Sequence, residues 1–158
     1  MAFVPQPEES FSDLLAIARL HQTHKLRIEL AARGFDDFRR GDGGWVRILA
    51  EESRSPGEVA AIIGVSKQAA TKMTDSLEQR GYVTRSAHGD DRRRLVLNLT
   101  ERGYAYERAV VESLAKLDDE IRARVPAVSL EIARSVLEVL IADGSEARDR
   151  IVAGAPDD

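Results

Sequence analysis

Cysteine is absent from the 158 residues of this chain. Without a thiol there is no disulfide, no zinc–thiolate site and no peroxide switch that works through cysteine oxidation. Long apolar runs are missing as well, since no segment approaches the length of a membrane-spanning helix. The first residues, Met1-Ala2-Phe3-Val4-Pro5, do not resemble a signal peptide. The sequence therefore predicts a protein of the cytoplasm.

Motifs for catalysis and metal binding are also missing. The sequence contains neither a nucleophile elbow nor a phosphate-binding loop. His21 and His24 lie three residues apart on a predicted helix, but no third ligand is near them in sequence. We therefore expect no enzymatic activity, no metal site and no cofactor.

The charge of the chain is unevenly distributed along its length. The formal net charge is -4, and 43% hydrophobic and 32% charged residues are ordinary for a globular, helix-rich protein. Residues 64–103 hold 8 basic and 5 acidic side chains, a net +3, whereas residues 1–63 carry -2 and residues 104–158 carry -5. A local positive segment can bind an anionic partner even when the total charge is negative. The length predicts one domain, residues 1–158.

Two short helices are predicted at the start of this positive segment. Ser55-Pro56-Gly57-Glu58 has the residue types of a helix start, with a serine cap, a proline in the first turn and a capping-box acid. Gly64 ends the first helix, because glycine accepts the positive φ that a tight turn requires. The second helix is predicted from about Ser66 to Arg80. Two helices across a tight turn form a helix-turn-helix.

The second helix has one apolar face and one small, polar face. Ala70, Met73 and Leu77 follow the spacing of an inward face. The opposite face has no bulky apolar residue, and small polar tips with lysines suit base edges and phosphates in a DNA major groove. The predicted DNA-contacting residues of this helix are Ser66, Lys67, Gln68, Ala69, Thr71 and Lys72.

A β-hairpin is predicted to follow the two helices. Tyr82 to Arg85 and Arg94 to Leu99 are predicted strands, and Leu95, Leu97 and Leu99 alternate along the second one. The polar residues 86–93 between them are interpreted as a loop, with Gly89-Asp90 as its turn. A helix-turn-helix followed by a hairpin is a winged helix, so the predicted fold is mainly α with a small β-hairpin wing.

The wing carries a cluster of arginines. Arg92, Arg93 and Arg94 are consecutive, and Arg85 lies at the base of the hairpin. Arginine suits a narrow minor groove, and we predict that Arg93 enters it while Arg92 and Arg94 contact phosphates or face solvent. Asp91 lies two residues before Arg93, on the same side of an extended strand, where it can orient the guanidinium.

These residues resemble the MarR family of bacterial transcription regulators. The resemblance rests on Asp91-Arg92-Arg93 followed by Leu99-Thr100-Glu101-Arg102-Gly103, and on the segment Leu77-Glu78-Gln79-Arg80-Gly81-Tyr82-Val83. It implies a triangular homodimer joined through its first and last helices. It also implies a small aromatic or phenolic effector that binds between the dimer helices and the DNA-binding lobe.

Three longer helices surround the winged helix. The first, residues 10–33, has apolar residues at helical spacing, and the second begins after Thr100 with Tyr104, Ala109 and Val110 as its apolar start. A last helix is predicted from about Leu130 to Val152, with a possible break at Gly144. Because a winged helix needs only part of the chain, we expect residues 10–33 and 101–153 to form a dimer around the lobe of residues 45–100.

The sequence thus predicts a regulator that binds double-stranded DNA as a homodimer, with repression as the expected sign. The alternative is a winged helix that uses the same surface, or the acidic outer helices, to hold a partner protein. Lysines on the helix and three consecutive wing arginines favour DNA. The lining of an effector pocket stays open, and the segments that could supply it contain Phe35, Phe38, Trp45, His21 and Arg47.

Overall fold

Six helices and one hairpin make up the part of the chain described by the computed structural model. Backbone is described for residues 10–88 and 91–152, and side chains for residues 10–87 and 95–142. The elements are α1 (Phe11–Ala32), α2 (Asp42–Glu51), α3 (Pro56–Ile63), α4 (Lys67–Gln79), β1 (Val83–His88), β2 (Asp91–Leu99), α5 (Glu101–Arg122) and α6 (Ala127–Val152). They fall into two compact units, Met1–Leu117 and Asp118–Asp158.

Side-chain caps fix where several helices begin. Ser55 accepts a hydrogen bond from the backbone of Glu58, whose carboxylate accepts one in return from the backbone of Ser55. Ser66 caps α4 by accepting from the backbone N–H of Ala69 at 3.2 Å. Thr100 Oγ1 does the same for α5, accepting from Gly103 N at 3.0 Å. Each of these caps satisfies backbone donors that a helix start leaves unpaired, and the predicted starts at Ser55, Ser66 and Thr100 are confirmed.

The hairpin is longer than the sequence predicted. β1 continues to His88 and β2 begins at Asp91, with Val83 paired to Leu99 and the register shifting between Ala87 and His88. The predicted loop of residues 86–93 is therefore mostly strand, and its predicted turn, Gly89-Asp90, lies outside the described residues. Arg54 adds an isolated bridge, because its carbonyl accepts from Leu97 N at 2.8 Å. This bridge ties the hairpin to the segment before α3.

A single hydrophobic core fills the first unit. Its members come from α1, α2, α3, α4, the hairpin and α5, and the largest fully buried side chains include Leu30, Leu49, Leu77, Leu97, Tyr82 and Tyr106. On α4, Ala70 and Leu77 are buried and Met73 packs partly against them, as predicted for the inward face. On α5 the buried aromatic residue is Tyr106, whereas Tyr104, the predicted one, is 44% exposed. The two tyrosines lie on different sides of the helix because they are two residues apart.

The second unit consists of the end of α5 and the helix α6. α6 begins at Ala127, three residues before the predicted start, and it continues through Gly144 without a break. Many of its apolar side chains are exposed, including Val128 at 60%, Val136 at 39% and Ile141 at 70%. Among the residues described, no helix combines the length and the apolar character needed to cross a membrane.

Candidate nucleic-acid interface

The outward face of α4 presents the predicted contact residues together. Ser66, Lys67, Gln68, Ala69, Thr71 and Lys72 are all exposed, and they occupy the first two turns of the helix. Thr71 donates its hydroxyl to the carbonyl of Lys67 at 3.0 Å, which leaves its methyl group available for an apolar contact. No acidic residue lies in the first turn. The face therefore combines hydrogen-bonding groups, small apolar groups and two ammonium groups, which is the chemistry that base edges and phosphates accept.

A tight turn positions this face. Gly64 has φ 78° and ends α3, and its backbone N–H bonds to the carbonyl of Ala60. Val59 and Ala60 of α3 are buried against the same core as Ala70 and Leu77 of α4. Because both helices share one core, the outward face of α4 is held in a fixed orientation relative to the rest of the unit.

The wing presents four of the predicted residues on one strand. Asp91, Arg92, Arg93 and Arg94 open β2, so their backbone is extended. Their side chains are outside the described residues, and the orientation of Arg93 by Asp91 stays a prediction.

Arg85, at the base of the wing, is bound to α4. Its guanidinium forms an ion pair with Asp75 and another with Glu78, the second at 3.2 Å between Nη1 and Oε2. The Arg85 side chain is about one third exposed, and the two acids are more exposed. The pairs attach β1 to the solvent side of α4 and leave a net charge of -1 on the three groups together. Contact between Arg85 and DNA, predicted from the sequence, stays a prediction.

A buried ion pair holds the other end of α4. Arg80, at the C-cap, donates two hydrogen bonds to Asp42, from Nη1 at 2.6 Å and from Nη2 at 2.9 Å. Asp42 is fully buried and the Arg80 side chain is 9% exposed. Asp42 stands in the first turn of α2, so this pair joins the start of one helix to the end of another. The same guanidinium donates to the carbonyl of Asp37 at 3.1 Å.

Aromatic rings and a second acid extend this cluster. The hydroxyl of Tyr82 donates to Asp37, and Arg102 of α5 lies over the Tyr82 ring at 4.9 Å. Tyr82 stacks on Tyr106 with 4.5 Å between ring centroids. Burial, together with the bond to Asp37, raises the pKa of Tyr82 to about 12, although Arg102 opposes the shift. Through Asp37, the segment before α2 is held against Tyr82, which follows α4, and against Arg102 of α5.

Comparison with known proteins agrees with this architecture. Residues 46–94 match the family model described as MarR family. The match covers 49 of the 158 residues, about a third of the chain.

Solved structures extend the likeness in fold beyond that segment. A crystal structure of MarR superposes with a TM-score of 0.71, with 19% identity over 94% of this chain and 99% of that chain. A cysteine variant of MarR from E. coli, complexed with operator DNA, gives 0.69 with 19% identity over 82% and 91%. CouR from Rhodococcus jostii RHA1, bound to p-coumaroyl-CoA, gives 0.68 with 19% identity over 87% and 95%. At these identities the structures establish the fold.

A curated sequence relative covers less of the chain. The transcriptional repressor MprA of Escherichia coli K12 is 37% identical over 68 residues, which are 42% of this chain and 39% of MprA. The chain thus matches about two fifths of the length of that MarR-family relative.

The aromatic residues that could line a pocket are packed in or against the hydrophobic core. Trp45 and Phe38 are core residues, 2% and 7% exposed, and Phe35 packs against Tyr82 and Tyr106. Arg47 instead lines an open groove of about 500 Å³ between α2 and α5, with Ile48, Glu51, Glu107 and Val111. His21 is exposed on α1. Within the described parts of the chain, no group of three or more candidate ligands could hold a metal ion.

The buried cluster around Asp42 was missed from the sequence. Asp42 lies between two glycines in the sequence, a composition typical of a loop, but it opens α2. Its partner Arg80 is 38 residues away, so no local spacing joins the two. The sequence offers one signal here, an acidic residue in a glycine-rich stretch two positions after Arg40. This signal does not indicate which residue pairs with the acid.

Proposed function

We propose that this protein is a transcription regulator that binds a pseudo-palindromic site in double-stranded DNA as a homodimer, and that it represses. The observation that carries the proposal is the exposed face of α4 in a MarR-family fold, where six predicted contact residues lie together free of acidic neighbours in the first turn. In this mechanism α4 enters the major groove, Arg93 enters the minor groove, and the lysines bind phosphates.

Exposed apolar surface on the outer helices supports the homodimer. Phe11, Leu20 and Ile28 of α1 are 54%, 69% and 55% exposed. α6, considered by itself, exposes Val128, Ile132, Val139 and Ile141 at 60% or more. Val128, Ile132 and Val139 lie on one side of α6, and exposed apolar side chains grouped in this way mark an interaction surface that a second copy would bury. In our proposal residues 10–33 and 101–153 form the dimer, and residues 45–100 form the DNA-binding lobe.

The proposed dimer is controlled by a small aromatic or phenolic effector. In one form of the dimer, the distance between the two DNA-binding lobes does not fit the DNA. An effector that binds this form more tightly shifts the population away from the DNA-binding form. CouR bound to p-coumaroyl-CoA and MprA, a transcriptional repressor by its name, are the relatives that suggest this class of ligand and this sign. The protein would act in the cytoplasm with its DNA, and the proposal assigns no catalytic step to it.

Selection from a random pool of duplexes tests the proposal. We expect the retained fragments to share a symmetric motif whose half-sites are about one helical turn, roughly 34 Å, apart. Gln68→Ala and Lys72→Ala should separate the roles on α4, because the first removes a group that reads bases and the second a group that binds phosphates. Gln68→Ala should change the selected motif, and Lys72→Ala should weaken all duplexes alike.

The control for this selection is Arg108→Ala, an exposed residue of α5. It should leave both the motif and the affinity unchanged. A pool that shows no enrichment, while the protein captures another protein through the α4 face, would support the partner-protein alternative instead.

A further inference from the structure

The connector, defined here as residues 33–41 between α1 and α2, runs beside α4. Arg39 Nη1 donates a hydrogen bond to Ser76 Oγ at 2.9 Å. A Cβ added to Gly41 would lie 3.0 Å from the terminal methyl of Met73, so the backbone itself contacts α4. The connector therefore lies against the side of α4 that carries Met73 and Ser76.

That side of α4 continues the proposed DNA-contacting face. Ala69, Lys72 and Ser76 follow one another at i, i+3 and i+7, so they line one stripe of the helix. Ser76 is one turn, about 5.4 Å, beyond Lys72. The guanidinium of Arg39, which is bonded to Ser76, therefore continues the stripe that begins with Ala69 and Lys72, two of the proposed DNA-contacting residues. Arg40, the next residue, is exposed.

The acidic residues of the same region do not cancel this charge. Asp42 is fully buried and bound to Arg80, and Asp37 binds Tyr82 and forms an ion pair with Arg102 at 3.5 Å. Asp36 is the exposed acid of the connector. On α4, Asp75 and Glu78 are paired with Arg85. Arg39, Arg40 and Lys72 supply +3, against -1 on Asp36 and -1 left on the group of Asp75, Glu78 and Arg85, so the exposed groups in this region keep a net positive charge.

The buried pair also fixes where these cations lie. The backbone N–H of Arg39 donates to Asp42 Oδ2 at 2.9 Å, the same oxygen that accepts from Arg80. Arg80 in turn donates to the carbonyl of Asp37. One carboxylate thus holds both the end of α4 and the connector. Pre-organised cations lose less side-chain freedom when they bind a phosphate than cations on a loose loop.

We propose that the connector is a third DNA-contacting element, in which Arg39 and Arg40 bind backbone phosphates beside α4. The inference rests on the proposed function and adds to it two contacts outside the helix-turn-helix and the wing. Because phosphate contacts carry no sequence information, the two arginines set affinity and orientation and do not select the motif.

Salt dependence of DNA binding tests this inference. For B-DNA each neutralised phosphate contributes about 0.9 to the slope of log K against log salt concentration. Arg39→Ala and Arg40→Ala should each lower the slope by about 0.9 on a mixed-sequence duplex, so that each loses about 3.5-fold less affinity between about 50 and 200 mM salt than the unaltered protein. Arg39→Lys keeps the charge and should keep the slope.

Arg47→Ala is the matched control. It removes the same charge from the same part of the chain, but Arg47 faces the groove against α5. Its slope should equal that of the unaltered protein. If Arg39→Ala and Arg40→Ala behave like Arg47→Ala while the unaltered protein binds DNA steeply with salt, the inference is wrong and the proposed function stands. If the unaltered protein shows no salt-dependent binding to duplex DNA, both are wrong.

Folding of the variants is checked separately. Circular dichroism and thermal unfolding report whether Arg39→Ala disturbs α4 through the lost bond to Ser76. Ser76→Ala removes that bond without changing charge, and its slope should match that of the unaltered protein. A slope lowered by Ser76→Ala as much as by Arg39→Ala would show that Arg39 braces the helix and does not contact phosphate.

Discussion

Asp42, fully buried, accepts hydrogen bonds from two nitrogens of the Arg80 guanidinium, Nη1 and Nη2, while the Arg80 side chain is 9% exposed. The pair joins the first turn of α2 to the C-cap of α4, the helix with the candidate DNA-reading face. A buried pair of this kind stabilises only while both members are present, because each charge alone would be unsolvated.

Asp42→Ala should therefore lower the free energy of unfolding by about 3–5 kcal/mol, since it leaves the Arg80 charge buried and unpaired. Chemical denaturation of the first unit measures the change. Glu29→Ala, which breaks the more exposed pair with Lys116, should cost about 0–1 kcal/mol. Equal losses in the two variants would mean that Asp42 and Arg80 are effectively solvated.

The wing is tested by Arg93→Ala. Loss of one good contact to the groove should weaken binding to the selected DNA site by about 1–3 kcal/mol, with no change in the thermal unfolding of the protein. Fluorescence anisotropy with a labelled site gives the affinity. Arg108→Ala on α5 should titrate like the unaltered protein, and an Arg93→Ala titration that coincides with it would remove the wing from the mechanism.

Tyr82 makes stability depend on alkaline pH. Its pKa rises from 10.0 to about 12 in the folded chain, so the native state holds the proton more tightly than the unfolded state. The stabilisation is complete below pH 10 and is lost as the pH rises to about 12, by on the order of 2–3 kcal/mol. Burial also raises the pKa of Tyr106, which acts with the same sign.

Tyr82→Phe should thus make the decline in unfolding free energy between pH 10.0 and about 12 shallower. Denaturation curves at several pH values in this window measure the slope. Tyr104→Phe, at an exposed tyrosine, is the control. A slope unchanged by Tyr82→Phe would show that burial and the bond to Asp37 do not raise the pKa of Tyr82 in the folded chain.

Gly103 permits a close approach between α5 and Tyr82, the residue before the hairpin. A Cβ at this position would lie 2.1 Å from the carbonyl oxygen of Tyr82, which is backbone and cannot turn aside. Gly103→Ala should destabilise the protein by about 1–3 kcal/mol or more, as measured by its melting temperature.

Gly57→Ala is the comparison for that substitution. Gly57 is also helical, but nothing lies within 4 Å of its added Cβ, so alanine should be neutral or stabilise by up to about 1 kcal/mol. If both variants melt at the same temperature, α5 can shift away from Tyr82 at little cost.

Local signals in the sequence were sufficient for most helix boundaries. Ser55 with Glu58, Ser66 and Thr100 each cap a helix through atoms within three residues, so the pattern is visible without tertiary structure. The inward face of α4 followed from spacing alone, because its period matches one buried stripe.

The remaining features depend on contacts between distant residues. Ser86 looked like a loop residue, but its hydroxyl accepts from Asn98 across the hairpin. Gly43 is a residue type that is rare inside helices, but it lies inside α2, where an added Cβ would come within 3.2 Å of Val110. Packing there favours the absence of a side chain over helix propensity. The Asp42–Arg80 pair could not be predicted either, because its two members are 38 residues apart in the sequence.

The exposed apolar row of α6 also has a consequence for gene dosage. If two chains must associate to cover it, then at concentrations well below the dissociation constant the number of active molecules rises with the square of the amount synthesised. Halving expression would then reduce occupancy of a promoter by up to about fourfold. Tight autoregulation of its own synthesis would be the simplest way for a cell to keep such a response steady.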